Sequence, residues 1–302
     1  MMIVKRIELS DIVEFLGDRV LNIIGSIKGV WIDNLAEVER VNETTLDWIN
    51  PSKLNKQQIA ESSRARVLLV DTSVQPISDK VLIAVKNPKV ALAEIGNHFF
   101  VEKIKPGIHP TAIIHPEAKI GKDVSVGSYC VIGKAVIGDG CVLDSNVRVY
   151  DDVVMGRNCV IKASAVLGGA GFGYERDEEG NKFRFPQIGQ LILGNNVDVG
   201  SNTTIDRGAL SDTTIGHYTK ISSNCLIAHN NKIGCNVTIA GCAMLSGSNI
   251  IEDNVWIAPN VSIKGWVHIG ESATVGMAAV VVKDIPANEI WVGNPAHKLE
   301  KK

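Results

Sequence analysis

The strongest regularity in the chain is an aliphatic residue at every sixth position. From Ile215 the steps fall on Ile221, Ile227, Ile233, Ile239, Leu245, Ile251, Ile257, Ile263, Ile269, Val275 and Val281, so all twelve positions are aliphatic. If about a third of residues are aliphatic, twelve such hits arise by chance on the order of once in a million. A second run steps through Ile114, Ile120, Val126 and Ile132, slips by one residue, and continues at Ile137, Leu143, Val149, Met155, Ile161 and Leu167. A short third run holds Leu193, Val199 and Ile205. Six is neither the helical period nor the period of a half-buried strand. It fits the hexapeptide form of the parallel β-helix. Three hexads make one triangular coil, with a short strand on each flat side and the aliphatic residue pointing inward onto its counterpart one coil away. Cys141 and Cys159, 18 residues apart at matching positions, are expected to stack in this way. Gly and Asn recur between the strands, where corners call for backbone conformations with positive φ. About twenty-five hexads imply about eight coils and, at ~4.8 Å per strand, a prism roughly 40 Å long.

The period fails in three places. Residues 1–104 show none of it. There VLLVD (67–71) and VLIAVKNP (81–88) read as strands, and residues 10–17 and 89–99 as helices, giving a small N-terminal α/β domain that ends near Lys105-Pro106-Gly107. The prism occupies residues 105–283, interrupted by an excursion over 168–190 with a charged centre and aromatics on both sides. Asp177-Glu178-Glu179-Gly180-Asn181 is good turn chemistry for a solvated hairpin. Long excursions from compact domains are also often functional, so a loop covering a site stands beside the hairpin. A tail, 284–302, is expected to leave the prism at Asp284-Ile285-Pro286 and to end in solvated lysines. The fold class is therefore mainly β: a left-handed parallel β-helix with a small α/β domain.

Composition narrows the function classes. Apolar residues make up 45 % of the 302, enough for a full core, and the net charge is −2. A nucleic-acid binder would normally show a strongly basic face. No apolar run is long enough for a membrane span. Acids stand where a secretory signal needs an apolar core, so a cytoplasmic location is expected. The six cysteines form no C-x-x-C pair and are expected to be reduced and buried. No two histidines have the short spacing that a zinc site on such a prism uses, so no metal and no permanently bound cofactor are expected.

The stretch from Gly168 to about Gly247 adds specific text: GGAGFGY (168–174), PQIG (186–189), VGSNTTIDRGAL (199–210) and IAHN (227–230). It resembles the LpxD-like family, the UDP-3-O-(3-hydroxyacyl)glucosamine N-acyltransferases of lipid A synthesis. The likeness extends upstream through VKNPK (85–89) and IHPTAIIHPEAKIG (108–121). The resemblance implies a homotrimer with sites between prisms. It implies acyl transfer from a phosphopantetheine thioester, on an acyl carrier protein or coenzyme A, to the amine of a nucleotide-linked amino sugar. It also makes His229 the catalytic histidine. Three features depart from the family. Its second histidine, 37 residues on, is Trp266 here. Its uracil-stacking aromatic, three residues before Asn-Pro, is Asp47, with Trp48 beside it. The tail reads VGNPAHKL (292–299), more like that of coenzyme A-dependent sugar acetyltransferases. The alternatives are thus a coenzyme A-dependent enzyme making an unusual UDP- or dTDP-amino sugar, and a non-catalytic sugar-nucleotide scaffold.

The residue types suit this chemistry. Amide formation needs a base, a donor for the oxyanion, and alignment of both substrates. Histidine titrates near neutral pH, and His229, two residues past the inward Ile227, is expected to project outward from a coil side or corner. A lone turn histidine is commonly just a surface residue; the motif singles this one out. His98, His109, His115, His217, His268 and His297 have no such context. Asp206 either orients His229 or the sugar, or is a corner Asp bonded to its own backbone. Gly247 offers a backbone N–H as oxyanion donor. Cys225 permits a Cys–His acyl-enzyme, but its hexad position points to packing. Trp48 and Asn50 can hold a nucleotide base, or Trp48 is a core residue of a small domain.

Overall fold

The computed structural model describes residues 5–300. Lys301 and Lys302, expected to be solvated, lie outside the described residues, as do the first four residues of the N-terminus. The chain forms two compact units, Met1–Lys103 and Ile104–Lys302.

The first unit is a mixed four-stranded sheet with helices. Val67–Val70 and Val81–Val85 are its fully buried central strands and pair in parallel. Val20–Ile24 pairs antiparallel to Val81–Val85, and Leu46–Trp48 parallel to Val67–Val70. The helices are Leu9–Leu16, Lys56–Ser62 and Pro88–Ile95, the last continued by a wider turn over Gly96–Phe100. Pro88, expected to end a strand, instead opens this helix, because Asn87 caps it by accepting a hydrogen bond from the Val90 N–H.

The second unit is the left-handed β-prism. Its flat sides are sheets of eleven, nine and eight strands, most of them two residues long. Neighbouring coils pair in parallel and in register, as in Val142–Leu143 on Val160–Ile161. Every aliphatic residue of the long run is buried. The residue two positions earlier is buried as well, in the series Val237, Ala243, Asn249, Val255, Val261. Each hexad therefore sends two side chains inward: a large aliphatic one and a small one. Among the small ones are the fully buried Thr203, Thr213, Thr219, Asn231 and Asn249. They hold backbone groups, as Thr203 Oγ1 does in donating to the Ser222 carbonyl at 2.7 Å. Corner residues in the left-handed region recur every sixth position, as at Asn224, Asn230, Asn236, Ser248, Asn254 and Asn260. Asn and Ser tolerate this at modest cost. Trp266, at φ 64°, is an unusual occupant of such a corner.

Two insertions break the coil. The excursion is an antiparallel hairpin, Tyr174–Arg176 on Lys182–Arg184, closed by Asp177 and Gly180. The second is shorter. Ile205 and Ile215 are ten residues apart instead of six, so four extra residues bulge out around Arg207–Asp212. The insertions are tied together: Ile188 N–H donates to the Ala209 carbonyl at 2.7 Å, and Arg207 Nε to the Gly189 carbonyl at 2.7 Å.

The tail corrects its expectation. It does not leave at residue 284; Ile285 bridges Ile269, and Ile290–Val292 adds a parallel strand to Thr274–Val275. His297–Lys298 then folds back antiparallel. Trp291 and Ala296 are buried in the prism core. A large apolar ring closes an end that would otherwise leave the aliphatic column open. The cysteines also need correction: Cys130, Cys141, Cys159 and Cys225 are buried, but Cys235 is half-buried and Cys242 exposed. Cys242 occupies a left-handed corner instead of an inward position.

Candidate active site

His229 sits on the corner after the strand Leu226–Ile227. Its backbone is fixed from both sides. Ala228 N–H donates to the Leu245 carbonyl at 3.0 Å, Asn230 N–H to Thr213 Oγ1 at 2.8 Å, and the His229 carbonyl accepts from Ser248 N–H at 3.0 Å. Beneath the corner, the buried Asn231 amide donates to the carbonyls of Ala228 and Ser246.

The imidazole lies between two glycines. A methyl group added at Gly171, in the excursion, would stand 2.7 Å from His229 Cδ2. One added at Gly247, in the next coil, would stand 2.7 Å from Cε1 and 3.0 Å from Nε2. Neither position has room for any larger residue while the ring stays in place.

The neighbouring Asn230 sets the tautomer. Its Nδ2 donates to the Ser211 carbonyl and to Ser211 Oγ, each at 2.8 Å. A carbonyl only accepts, so the amide orientation is settled and Oδ1 faces the other way. That Oδ1 takes the Ala209 N–H at 3.2 Å and lies 2.8 Å from His229 Nδ1. Nδ1 must therefore carry the proton, and in the neutral ring Nε2 keeps its lone pair. Ser211 and Ala209 both belong to the four-residue insertion.

Asp206 ends the strand Thr204–Asp206 and is half-buried. Burial pushes its carboxyl up to about 6, and the charge of His229 pulls it the other way. Among the described residues its side chain has no hydrogen-bond partner, so it is not the self-bonded corner Asp that its position allowed. The Gly247 N–H is likewise free of any partner among the described residues.

Two cavities meet at His229. One of about 730 Å³ is lined by the excursion (Phe172, Tyr174, Phe185, Gln187), the short insertion (Leu210, Ser211) and the following coils (Ile250, Trp266). The other, about 190 Å³, is bounded by Phe172, Leu226, Met244 and Gly247. Trp266, the residue in the place of a second histidine, is 83 % exposed at the rim of the larger one. The excursion is a hairpin by its bonding, and its residues line the larger cavity.

The other histidines have local roles. His217 Nδ1 accepts from the Asn195 N–H, His268 pairs with Glu252 at 2.8 Å, and His98 stacks on Phe15. Cys225 is in the core and its thiol donates toward the Ala240 carbonyl; burial pushes its pKa up, which suits packing and not nucleophilic attack. Asn230 and Gln187 stand inside the IAHN and PQIG text without being singled out there, and the Asn230 bonds to Ala209 and Ser211 reach far along the chain.

In the N-terminal unit, Trp48 and Asn50 line a cavity of about 770 Å³ together with Asp47, Lys53 and Leu92. Trp48 is half-buried against the core, with Lys89 Nζ 6.0 Å from its ring centre. Asn50 Oδ1 accepts from the Ser52 N–H. Asp47 bonds the Trp48 N–H and Ser63 Oγ.

Comparison with known proteins bears on the fold and the family. The family model described as bacterial transferase hexapeptide (six repeats) matches residues 134–169. The UDP-3-O-acylglucosamine N-acyltransferase of Coxiella burnetii is 31 % identical over 280 residues, covering 86 % of this chain and 81 % of that protein. The protein of the same description from Pseudomonas savastanoi pv. phaseolicola is 34 % identical, covering 80 % and 73 %. Among solved structures, LpxA from Acinetobacter baumannii superposes with a TM-score of 0.58 at 31 % identity, over 64 % of this chain and 73 % of that one. The Francisella novicida UDP-N-acetylglucosamine acyltransferase gives the same TM-score at 28 % identity, over 64 % and 68 %. With similarity of this extent to curated acyltransferases, the scaffold reading falls away, and the chain belongs to the UDP-3-O-acylglucosamine N-acyltransferase family.

Proposed function

We propose that the chain transfers an acyl group, of the 3-hydroxyacyl kind, from a phosphopantetheine thioester to the amine of a nucleotide-linked amino sugar, with UDP-3-O-acylglucosamine as the acceptor its relatives' name indicates. The observation that carries this reading is the His229 imidazole, held in the Nδ1–H form by Asn230 and opening onto two cavities. Its Nε2 removes a proton from the amine as the nitrogen attacks the thioester carbonyl. A C–N bond forms, and the carbonyl oxygen becomes an oxyanion to which the Gly247 N–H donates. Collapse breaks the C–S bond; the thiolate leaves and recovers the proton from the imidazolium. Asp206, ionised above about pH 6, favours that imidazolium by its charge. The unpartnered Asp206 carboxylate and Gly247 N–H support these assignments.

The remaining parts follow the same reading. The apolar side chains around the smaller cavity, Phe172, Leu226 and Met244, suit an acyl chain. The cavity beside Trp48 and Asn50 suits a nucleotide base. A homotrimer would cover the exposed Phe172, Met244 and Trp266 beside the site. Acyl carrier protein and coenzyme A present the same phosphopantetheine arm, and a side-by-side donor assay separates them. The same assay with UDP and dTDP amino sugars separates the carriers. The reading as a whole is tested by His229→Ala: the rate should fall about 10²–10⁴-fold, the usual contribution of a general base. Wild-type rates in that variant would refute it.

A further inference from the structure

One corner of the unbroken run carries a ring that is both strained and exposed. Trp266 continues the column of Asp152, Asn230 and Ser248, all in the left-handed region. Short polar side chains take that conformation at modest cost; a bulky one is an outlier there, because Cβ crowds the following carbonyl. Trp266 stands at φ 64° and is 83 % exposed, so little of the ring is buried against its own chain to offset the strain. Two other left-handed corners carry exposed aromatics, Tyr129 and Tyr218. Neither lines a cavity at His229, and Trp266 does. Strain that folding does not use, placed beside a site, points to function.

The two cavities divide the substrates. Gly247 faces His229 Cε1 and Nε2, its N–H has no partner among the described residues, and it borders the smaller cavity. A thioester whose carbonyl oxygen meets that N–H has its acyl chain in the smaller cavity. The larger one, which His229 also lines, is left for the acceptor. The corner of Trp266 stands two coils beyond that of Asn230, about 10 Å at ~4.8 Å per strand. That is room for one hexose between His229 and the indole. Ser211, Ser248 and Lys232 line the same space, and their hydroxyls and ammonium suit the hydroxyls of a sugar. The indole face is electron-rich and suits the C–H face of a pyranose ring.

We propose that Trp266 is a binding residue for the acceptor, its indole lying against the sugar ring and holding the amine before His229. This rests on the acyl-transfer reading above and extends it.

The test compares wild type, Trp266→Asn, Trp266→Phe and Tyr218→Asn by steady-state kinetics with UDP-3-O-acylglucosamine, thermal melts and light scattering. Trp266→Asn relieves the corner and removes the indole. It should melt a few degrees higher than wild type and raise KM for the acceptor about tenfold, the scale of one aromatic contact. The kcat and the donor KM should be retained, the mark of lost ground-state binding. UDP-glucosamine, which lacks the acyl chain, should lose potency as an inhibitor by the same factor. Trp266→Phe keeps an aromatic face and should restore most of the acceptor KM. Tyr218→Asn relieves a matched corner away from the site, and should melt higher with its acceptor KM unchanged. A lower melt or an altered oligomeric state in Trp266→Asn makes the ring structural and overturns the proposal. So does an unchanged acceptor KM, a rise confined to the donor KM, an unchanged inhibition by UDP-glucosamine, or no rescue by Trp266→Phe. A wild-type chain idle on the amine with every thioester is a different failure, and overturns the acyl-transfer reading itself.

Discussion

The prism contains two kinds of coil. From Ile215 to Val281 the period never breaks, and each corner is a repeat of the last. Between Leu167 and Ile215 it breaks twice, and both insertions end at the same histidine. The regular coils fix His229's backbone through ladder bonds to Leu245 and Ser248. The irregular ones supply Gly171 and Gln187 on one side, and Ser211 and Ala209 on the other. Repetition gives a rigid frame but the same surroundings at every corner. The insertions give one corner surroundings that no other corner has, and they do so on a scaffold too stiff to let the ring drift.

That contrast can be broken by substitution at matched glycines. Gly247→Ala places a methyl group against the ring and should lower kcat by about 10²-fold through displacement of His229, with little change in the unfolding temperature. Gly216→Ala, in a regular corner, would overlap the Gly234 backbone. It should lower the unfolding temperature and leave the kcat of the folded fraction intact. Steady-state kinetics and thermal melts on both variants check the pair. Asn230→Gly keeps the left-handed corner but removes the acceptor that fixes the tautomer; kcat should fall by roughly tenfold, at the low end for a residue that orients a catalytic group. Ile251→Ala, in the unbroken stack, should cost about 2–5 kcal/mol of stability, read from chemical denaturation, with kcat unchanged.

The smallest effect concerns Asp206, and its sign is opposite to that of a paired carboxylate. Burial raises the folded-state value from 3.8 to about 6. Between these limits the folded chain keeps a proton that the unfolded chain has released. Stability therefore falls as pH rises through that window, and the deficit persists above it. Asp206→Asn removes the deficit. The variant should melt higher than wild type near pH 8, with the difference vanishing below about pH 3.8, while its kcat is reduced.

The legible and illegible parts of the sequence divide along the same line. The prism could be read from one inward residue per hexad because its contacts repeat at fixed spacing. The second inward position was read only at Cys141, Cys159 and Cys225: Val, Ala, Cys, Thr and Asn share it, so no single residue class marks it. The four-residue insertion went unnoticed because it falls between two runs read separately. His229 was singled out by its motif. Asn230 was not, since its partners Ser211 and Ala209 lie 19 and 21 residues away, and nothing local reports such a bond. The exposed strand Val20–Ile24 escaped for a related reason: VLNII lacks the alternation of a half-buried strand.

The central claim is that Asn230, clamped by the short insertion, presents His229 to both cavities with Nε2 unprotonated. Nitrogen-15 NMR of histidine-labelled protein at a pH where the ring is neutral reads this directly. Wild type should show the His229 proton on Nδ1, and Asn230→Gly should lose that preference. A proton found on Nε2 in the wild-type protein would contradict the account.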